Sequence, residues 1–207
     1  MPFQSWAGML NASPQWTGAG TVLNTATTAT LSPTPGALDV PVQAGGQPYG
    51  WYPGMILRVT ARGFLTTTAS STTFTPLLAA RVGNTGSTYI TLATASGITT
   101  GTTVLTTIQW KLEAFIRCTA VASSGNTLST QGEFGLQGLL ATPLAAANPF
   151  VLTGTPSIGI SAGLPAINGE TAAAVDTTQL QGISMRGTLA GANATVQLTQ
   201  WIVEALD

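Results

Sequence analysis

Apolar and polar residues alternate at period two over much of the chain after residue 55. From Leu57 onward, Leu57, Val59 and Ala61 alternate with Arg58, Thr60 and Arg62, which predicts a strand within Met55–Leu65 whose two arginines share a wetter face. In the run from Thr102 to Ala122, Ile108, Trp110, Leu112, Ala114 and Ile116 fall on one side. Gln109, Lys111, Glu113, Phe115 and Arg117 fall on the other. Five apolar residues in strict alternation do not fit a helix, whose faces repeat every 3.6 residues. Phe74 to Val82 reads as a strand, Gly83-Asn84-Thr85-Gly86 as a turn, and Ser87 to Ala93 as the returning arm of a hairpin. Ser123-Ser124-Gly125-Asn126 turns the chain into Thr127–Leu140, where Gly132, Gly135 and Gly138 blur the alternation and suggest bulges or a close backbone neighbour. Leu180–Leu189, the turn Ala190-Gly191-Ala192-Asn193 and Ala194–Leu206 close the chain. The last strand alternates Val196, Leu198 and Ile202 with Thr195, Gln197, Thr199, Trp201 and Val203, and its apolar content predicts a place inside a sheet.

Two segments lack this periodicity. Residues 1–50 are rich in Pro, Gly, Ala and Thr but carry Phe3, Trp6, Trp16, Tyr49 and nearby Trp51, too many aromatics for a free linker. They read as an extended N-terminal arm, with one candidate strand from Ala26 to Leu31 that ends at Ser32-Pro33-Thr34-Pro35-Gly36. Residues 141–179 read as a long loop holding Pro143, Pro149, Pro156 and Pro165 and a weak helical stretch from Glu170 to Val175. The expectation is an all-β chain: a jelly-roll-type antiparallel β-sandwich over 51–207 with a long loop at 141–179, preceded by the arm at 1–50. No repeat of propeller or solenoid length is visible.

Composition sharpens this picture. Thirteen of 207 residues are charged, 6% against about 25% for an ordinary soluble domain, while 36 threonines, 24 glycines and 12 prolines suit strands joined by tight turns. With 44% hydrophobic residues, extensive disorder is excluded. Histidine is absent, so a Ser-His-Asp triad, a Cys-His dyad and a His-ligated metal site are all excluded. The six cations, Arg58, Arg62, Arg81, Lys111, Arg117 and Arg186, are scattered along the sequence and do not suit a run of phosphates, so no nucleic-acid partner is expected. Lone Cys118, in an apolar stretch, reads as a small buried hydrophobe. The N-terminus lacks the basic and apolar regions of a signal peptide, and no window approaches about 18 unbroken apolar residues, so cytoplasmic synthesis and no membrane partner are expected. Asn11-Ala12-Ser13 and Asn193-Ala194-Thr195 match glycosylation sequons at a frequency chance supplies.

The carboxylates are Asp39, Glu113, Glu133, Glu170, Asp176, Glu204 and Asp207. Glu113 and Glu133 lie on candidate neighbouring strands and could form a glycosidase pair. Lys111 and Arg117 share the face of Glu113, however, and an ion pair there is the simpler reading. No phosphate-cradling, dinucleotide-binding or calcium-loop pattern occurs, so no cofactor, no metal and no catalytic residue is assigned. Trp51 and Tyr52 with Trp6 or Trp16 could stack on a sugar, or could anchor the chain to a neighbour; the packing reading is preferred. Interface candidates are Phe3, Trp6, Trp16, Trp51, Tyr52, Trp110, Phe115 and Trp201. A surface polar through Thr, Ser, Gln and Asn forms hydrogen bonds without burying charge, which favours extensive contact between subunits.

The segment Tyr52-Pro53-Gly54-Met55-Ile56-Leu57-Arg58-Val59-Thr60-Ala61-Arg62-Gly63 is one of four that carry a likeness. The others are Leu78-Ala79-Ala80-Arg81-Val82-Gly83, Trp110-Lys111-Leu112-Glu113-Ala114 before an Arg-Cys strand, and the closing Val196-Gln197-Leu198-Thr199-Gln200-Trp201. Together they resemble tailed-bacteriophage virion proteins, across about residues 50–140 and 180–207. The resemblance implies a small jelly-roll protein, often trimeric, that decorates a capsid or forms fibres and spikes, and it implies no catalytic residues. The leading expectation is thus a non-enzymatic virion protein assembled in the host cytoplasm: a homotrimeric capsid decoration, or cement, protein whose partner is the major capsid protein or another virion protein. The alternative is a receptor-binding tail or fibre module that recognises host surface glycan. A glycan-processing enzyme using Glu113 and Glu133 is the third.

Overall fold

The structure, a computed structural model, describes residues 8–13, 22–31, 40–42, 45, 50–68, 70, 72–82, 88–94, 98–100, 104–137, 150–152 and 166–206. Among these the regular elements are all strands: β1 Gly8–Ser13, β2 Val22–Leu23, β3 Thr28–Thr30, β4 Val40–Val42, β5 Ile56–Thr67, β6 Thr72–Val82, β7 Tyr89–Thr94, β8 Ile98–Thr100, β9 Leu105–Cys118, β10 Leu128–Gln137, β11 Phe150–Leu152, β12 Ala166–Ala173, β13 Gln181–Leu189 and β14 Ala194–Leu206. They build an antiparallel β-sandwich. One sheet runs β1-β14-β5-β9-β10-β12 with β2 also on β14; the other runs β11-β8-β6-β13-β3, with β4 on β13 and β7 on β6. In the first sheet the order β14-β5-β9-β10 returns the last strand to the side of the first long one.

The long strands form where period two is cleanest. On β5, Leu57, Val59, Ala61 and Leu65 point inward; on β9, Trp110, Leu112, Ala114, Ile116 and Cys118 do so, and all are buried. The facing sheet contributes Phe74, Leu78, Ala80, Ile183, Met185 and Leu189 to the same core. At its centre the rings of Phe74, Trp110 and Phe134 meet pairwise with centroids 5.8–6.1 Å apart in tilted and edge-on geometry, joining β6 to β9 and β10 across the sandwich. β6 and β7 pair antiparallel, with Arg81 opposite Tyr89, and the expected turn between them lies outside the described residues.

Several expectations are corrected. Residues 1–50 are not a separate arm where they are described: β1 and β2 pair with β14, β3 and β4 pair with β13, and Leu23 and Leu31 lie in the core. The strand expected within Ala26–Leu31 is β3, whereas β2 and β4 are too short for periodicity to reveal them. The segment 141–179 is likewise not one loop, because β11 pairs with β8 and β12 pairs with β10. The stretch from Glu170 is strand through Ala173 rather than helix, since pairing along β10 outweighs the helix preference of its alanines.

On β14 the alternation slips. The register shifts between Leu198 and Gln200 against β5, so one extra residue changes parity. Trp201 and Val203 therefore point inward with Val196 and Leu198, while Ile202 turns outward. The strand does lie inside its sheet, between β1 and β5.

A polar knot closes one end of the core. Thr127 Oγ1 donates to the Val175 carbonyl at 2.5 Å and accepts from the Val175 N–H at 3.1 Å. Thr177 donates its hydroxyl to Ala120 and Ala122 carbonyls and accepts from the Ala122 N–H. The Thr127 hydroxyl thus supplies both backbone groups of Val175, and the Thr177 hydroxyl adds to the Ala122 carbonyl a second bond beside that from the Thr177 N–H.

Candidate functional site

The outer face of the β14-β5-β9-β10 sheet gathers side chains that are far apart in sequence. Inward positions are taken by the core, so the intervening residues must face out. Register then sets rows across the strands: Glu204, Arg58, Phe115 and Gln131; next Ile202, Thr60, Glu113 and Glu133; next Gln200, Arg62 and Lys111. Arg117 lies opposite Ile56, one row beyond Arg58 and Phe115. Arg58, Arg62, Lys111, Arg117, Glu113, Glu133 and Glu204 are seven of the chain's thirteen charged residues, on one sheet face of an otherwise sparsely charged protein.

Two ion pairs knit this face. Arg58 Nε donates to Glu204 Oε2 at 2.7 Å between β5 and β14, and Lys111 Nζ contacts Glu113 Oε2 along β9. Both are partly open to solvent, so each contributes little stability, at most about 1 kcal/mol. Two like-charged pairs lie directly opposite one another across strands: Arg62 with Lys111, and Glu113 with Glu133. Such pairs oppose folding by roughly 0.2–1 kcal/mol each. Arg62 and Glu133 are exposed, and neither has an ion-pair partner among the described residues.

The two remaining cations meet around one ring on the other sheet. Arg186 Cζ sits 4.1 Å from the Tyr89 ring centroid and Arg81 Cζ 6.0 Å, while Thr30 Oγ1 donates to the tyrosine hydroxyl at 3.2 Å. Arg81 is only 1% exposed, rare for arginine, and the aromatic face offsets part of the cost of that burial. The six cations are scattered along the sequence, where alternation joins only Arg58 with Arg62 and Lys111 with Arg117; strand register and the Tyr89 ring gather them into two clusters.

The candidate aromatics separate just as clearly. Of the interface candidates, Trp51, Trp110 and Trp201 are buried within this chain's own core, where Trp110 Nε1 donates to the Phe64 carbonyl. Tyr52 is 45% exposed, and Phe115 stands half-buried on the charged face beside Arg58. Phe3, Trp6 and Trp16 lie outside the described residues. Cys118 is buried, with its Sγ donating to the Ala120 carbonyl at 3.3 Å, and burial pushes its thiol pKa up.

Glu113 and Glu133 are direct cross-strand neighbours, but they stand side by side on an open face with Lys111 on Glu113. Among the described residues no group of three or more His, Cys, Asp or Glu is placed to hold a metal, and no helix is long and apolar enough to cross a membrane. Compared with protein-family models, curated proteins and solved structures, the chain matches none.

Proposed function

We propose that the protein is a non-enzymatic structural component of a tailed-phage virion, a trimeric, jelly-roll-type decoration protein that binds and stabilises the capsid shell. The observation that carries this reading is the concentration of charge on one broad sheet face of an otherwise sparsely charged, threonine-rich chain. An open face of mixed sign suits registration against another large surface, where charge selects partner and orientation. It does not suit a small substrate, which needs concave walls and convergent polar groups. The paired glutamates also fit this reading better than hydrolysis, since a glycosidase holds its two carboxyl groups on opposite sides of a scissile bond.

Recognition of host glycan is the weaker alternative. Burial of Trp51 removes half of the Trp51-Tyr52 stacking platform, leaving Tyr52 alone among the described candidates.

Electron microscopy of particles that carry the protein tests the proposal. Density on the outer capsid, reduced when Arg117 is changed to alanine in protein that still folds, is the expected result. Density confined to the tail, or particles that never contain the chain, overturns it.

A further inference from the structure

We infer that the charged sheet face is a two-fold contact between copies of this chain, with Arg62 of each copy seated on Glu133 of the other. The inference goes beyond the capsid reading, because a trimer alone requires no two-fold contact.

The argument starts from the register. Lys111 and Glu113 are two residues apart on β9 and touch. Arg62 lies one strand to one side, in the row of Lys111; Glu133 lies one strand to the other side, in the row of Glu113. Arg62 and Glu133 are therefore placed symmetrically about the Lys111–Glu113 contact, two strand spacings or about 10 Å apart across the sheet. A two-fold axis lying in the face and passing through that contact carries Arg62 onto the second copy's Glu133, and Glu133 onto its Arg62.

The same operation brings each Lys111 toward the opposite Glu133 and each Glu113 toward the opposite Arg62; it also sets the two Lys111, and the two Glu113, near one another across the axis, a repulsion that the more numerous opposite-charge contacts outweigh. Every like-charged neighbour within a chain thus gains an opposite charge from the second copy. A two-fold interface must be complementary to itself, and this distribution of four charges meets that condition. The pattern opposes folding of an isolated chain, and the contact supplies what it lacks. Neither Arg62 nor Glu133 has an ion-pair partner among the described residues, so association breaks no existing ion pair of theirs.

Charge reversal tests the contact in the full chain. One variant makes the four positions all positive, Glu113→Lys with Glu133→Lys; the other makes them all negative, Arg62→Glu with Lys111→Glu. Sedimentation or light scattering at low salt should show wild type in even-numbered assemblies that dissociate as salt rises. Each variant alone should associate at least tenfold more weakly, and a one-to-one mixture should restore association. A third variant, Arg62→Glu alone, removes one like-charged pair. It should keep or raise the unfolding temperature while weakening association, which separates loss of contact from loss of fold. Wild type whose mass is odd-numbered or insensitive to these reversals, or a mixture that stays apart, overturns the inference. The capsid reading survives that result, and fails separately if folded protein, paired or not, is absent from the outer capsid.

Discussion

Gly63 on β5 lies directly under the indole of Trp110 on β9. A Cβ added there would stand 2.5 Å from Trp110 Cζ2 and 1.9 Å from the Gln197 backbone oxygen. The glycine therefore lets the largest ring in the central aromatic cluster pack flat against its own sheet. It also lets Trp110 Nε1 donate to the Phe64 carbonyl at 3.2 Å.

Gly63→Ala should consequently destabilise the fold by about 2–3 kcal/mol, because one obstacle is backbone and the other a ring fixed on three sides. Urea unfolding should show a lower midpoint with an unchanged slope. An unaltered midpoint would mean the strand shifts freely, contrary to the packing described.

Thr127→Val preserves shape but removes the hydroxyl that both donates to and accepts from Val175. Two buried backbone groups lose their partner, and the expected cost is about 2–3 kcal/mol. Thr28→Val, which breaks only the exposed hydroxyl contact with Thr188, should change stability by less than about 0.5 kcal/mol. Thermal unfolding of the two variants under one condition makes the comparison.

These contrasts show what the sequence can and cannot reveal. β5 and β9 are legible because each is long, half-buried and free of bulges over its inward residues from Leu57 to Leu65 and from Trp110 to Ile116. β14 is legible as a strand, yet the extra residue at Thr199 sends Trp201 inward when simple alternation sends it out. Strands as short as β2 and β4 owe their existence to the neighbours they pair with, so no local pattern announces them, whereas β3 lies within the strand that Ala26–Leu31 predicts. The charged face is half legible. Alternation places Arg58 and Arg62 together, and Lys111 and Glu113 together, but only the β5–β9 and β9–β10 registers put Arg62 and Glu133 on either side of one ion pair.

Cys118 should make stability fall in alkali. Burial raises the thiol's pKa above its usual value of about 9, so the folded chain holds its proton where the unfolded chain releases it. This contribution is fully present below the unfolded pKa and is lost as pH rises through the folded one, at up to about 1.4 kcal/mol per pH unit. Urea midpoints from pH 8 to pH 10.5 should fall more steeply for wild type than for Cys118→Ala, whatever the absolute cost of the missing sulfur. Parallel slopes would show that the thiol does not titrate differently in the two states.

Glu113→Gln with Glu133→Gln removes one cross-strand repulsion and the Lys111 ion pair together, so the two effects should nearly cancel. The expected change in stability is under about 0.5 kcal/mol, with no change in any turnover of host polysaccharide measured as released reducing ends. Loss of such turnover in folded variant protein would restore the glycosidase reading.

Removal of residues 1–20 deletes β1, which covers one edge of β14 from Trp201 to Ala205. It leaves β2, β3 and the buried Leu23 and Leu31 in place, so the core keeps its N-terminal contributions. The shortened chain should therefore fold, but with a row of unpaired N–H and C=O groups along its longest terminal strand, a template for pairing with other chains. Circular dichroism should retain the β signal while light scattering shows concentration-dependent aggregation, slower when an edge lysine is introduced at Thr199 or Ile202. Capsid binding should be measured below the aggregation threshold. If truncated protein there stays dispersed at every concentration and unfolds at the wild-type temperature, β1 contributes neither cover nor stability, and the pairing of Gly8–Ser13 with β14 is not a working part of the fold.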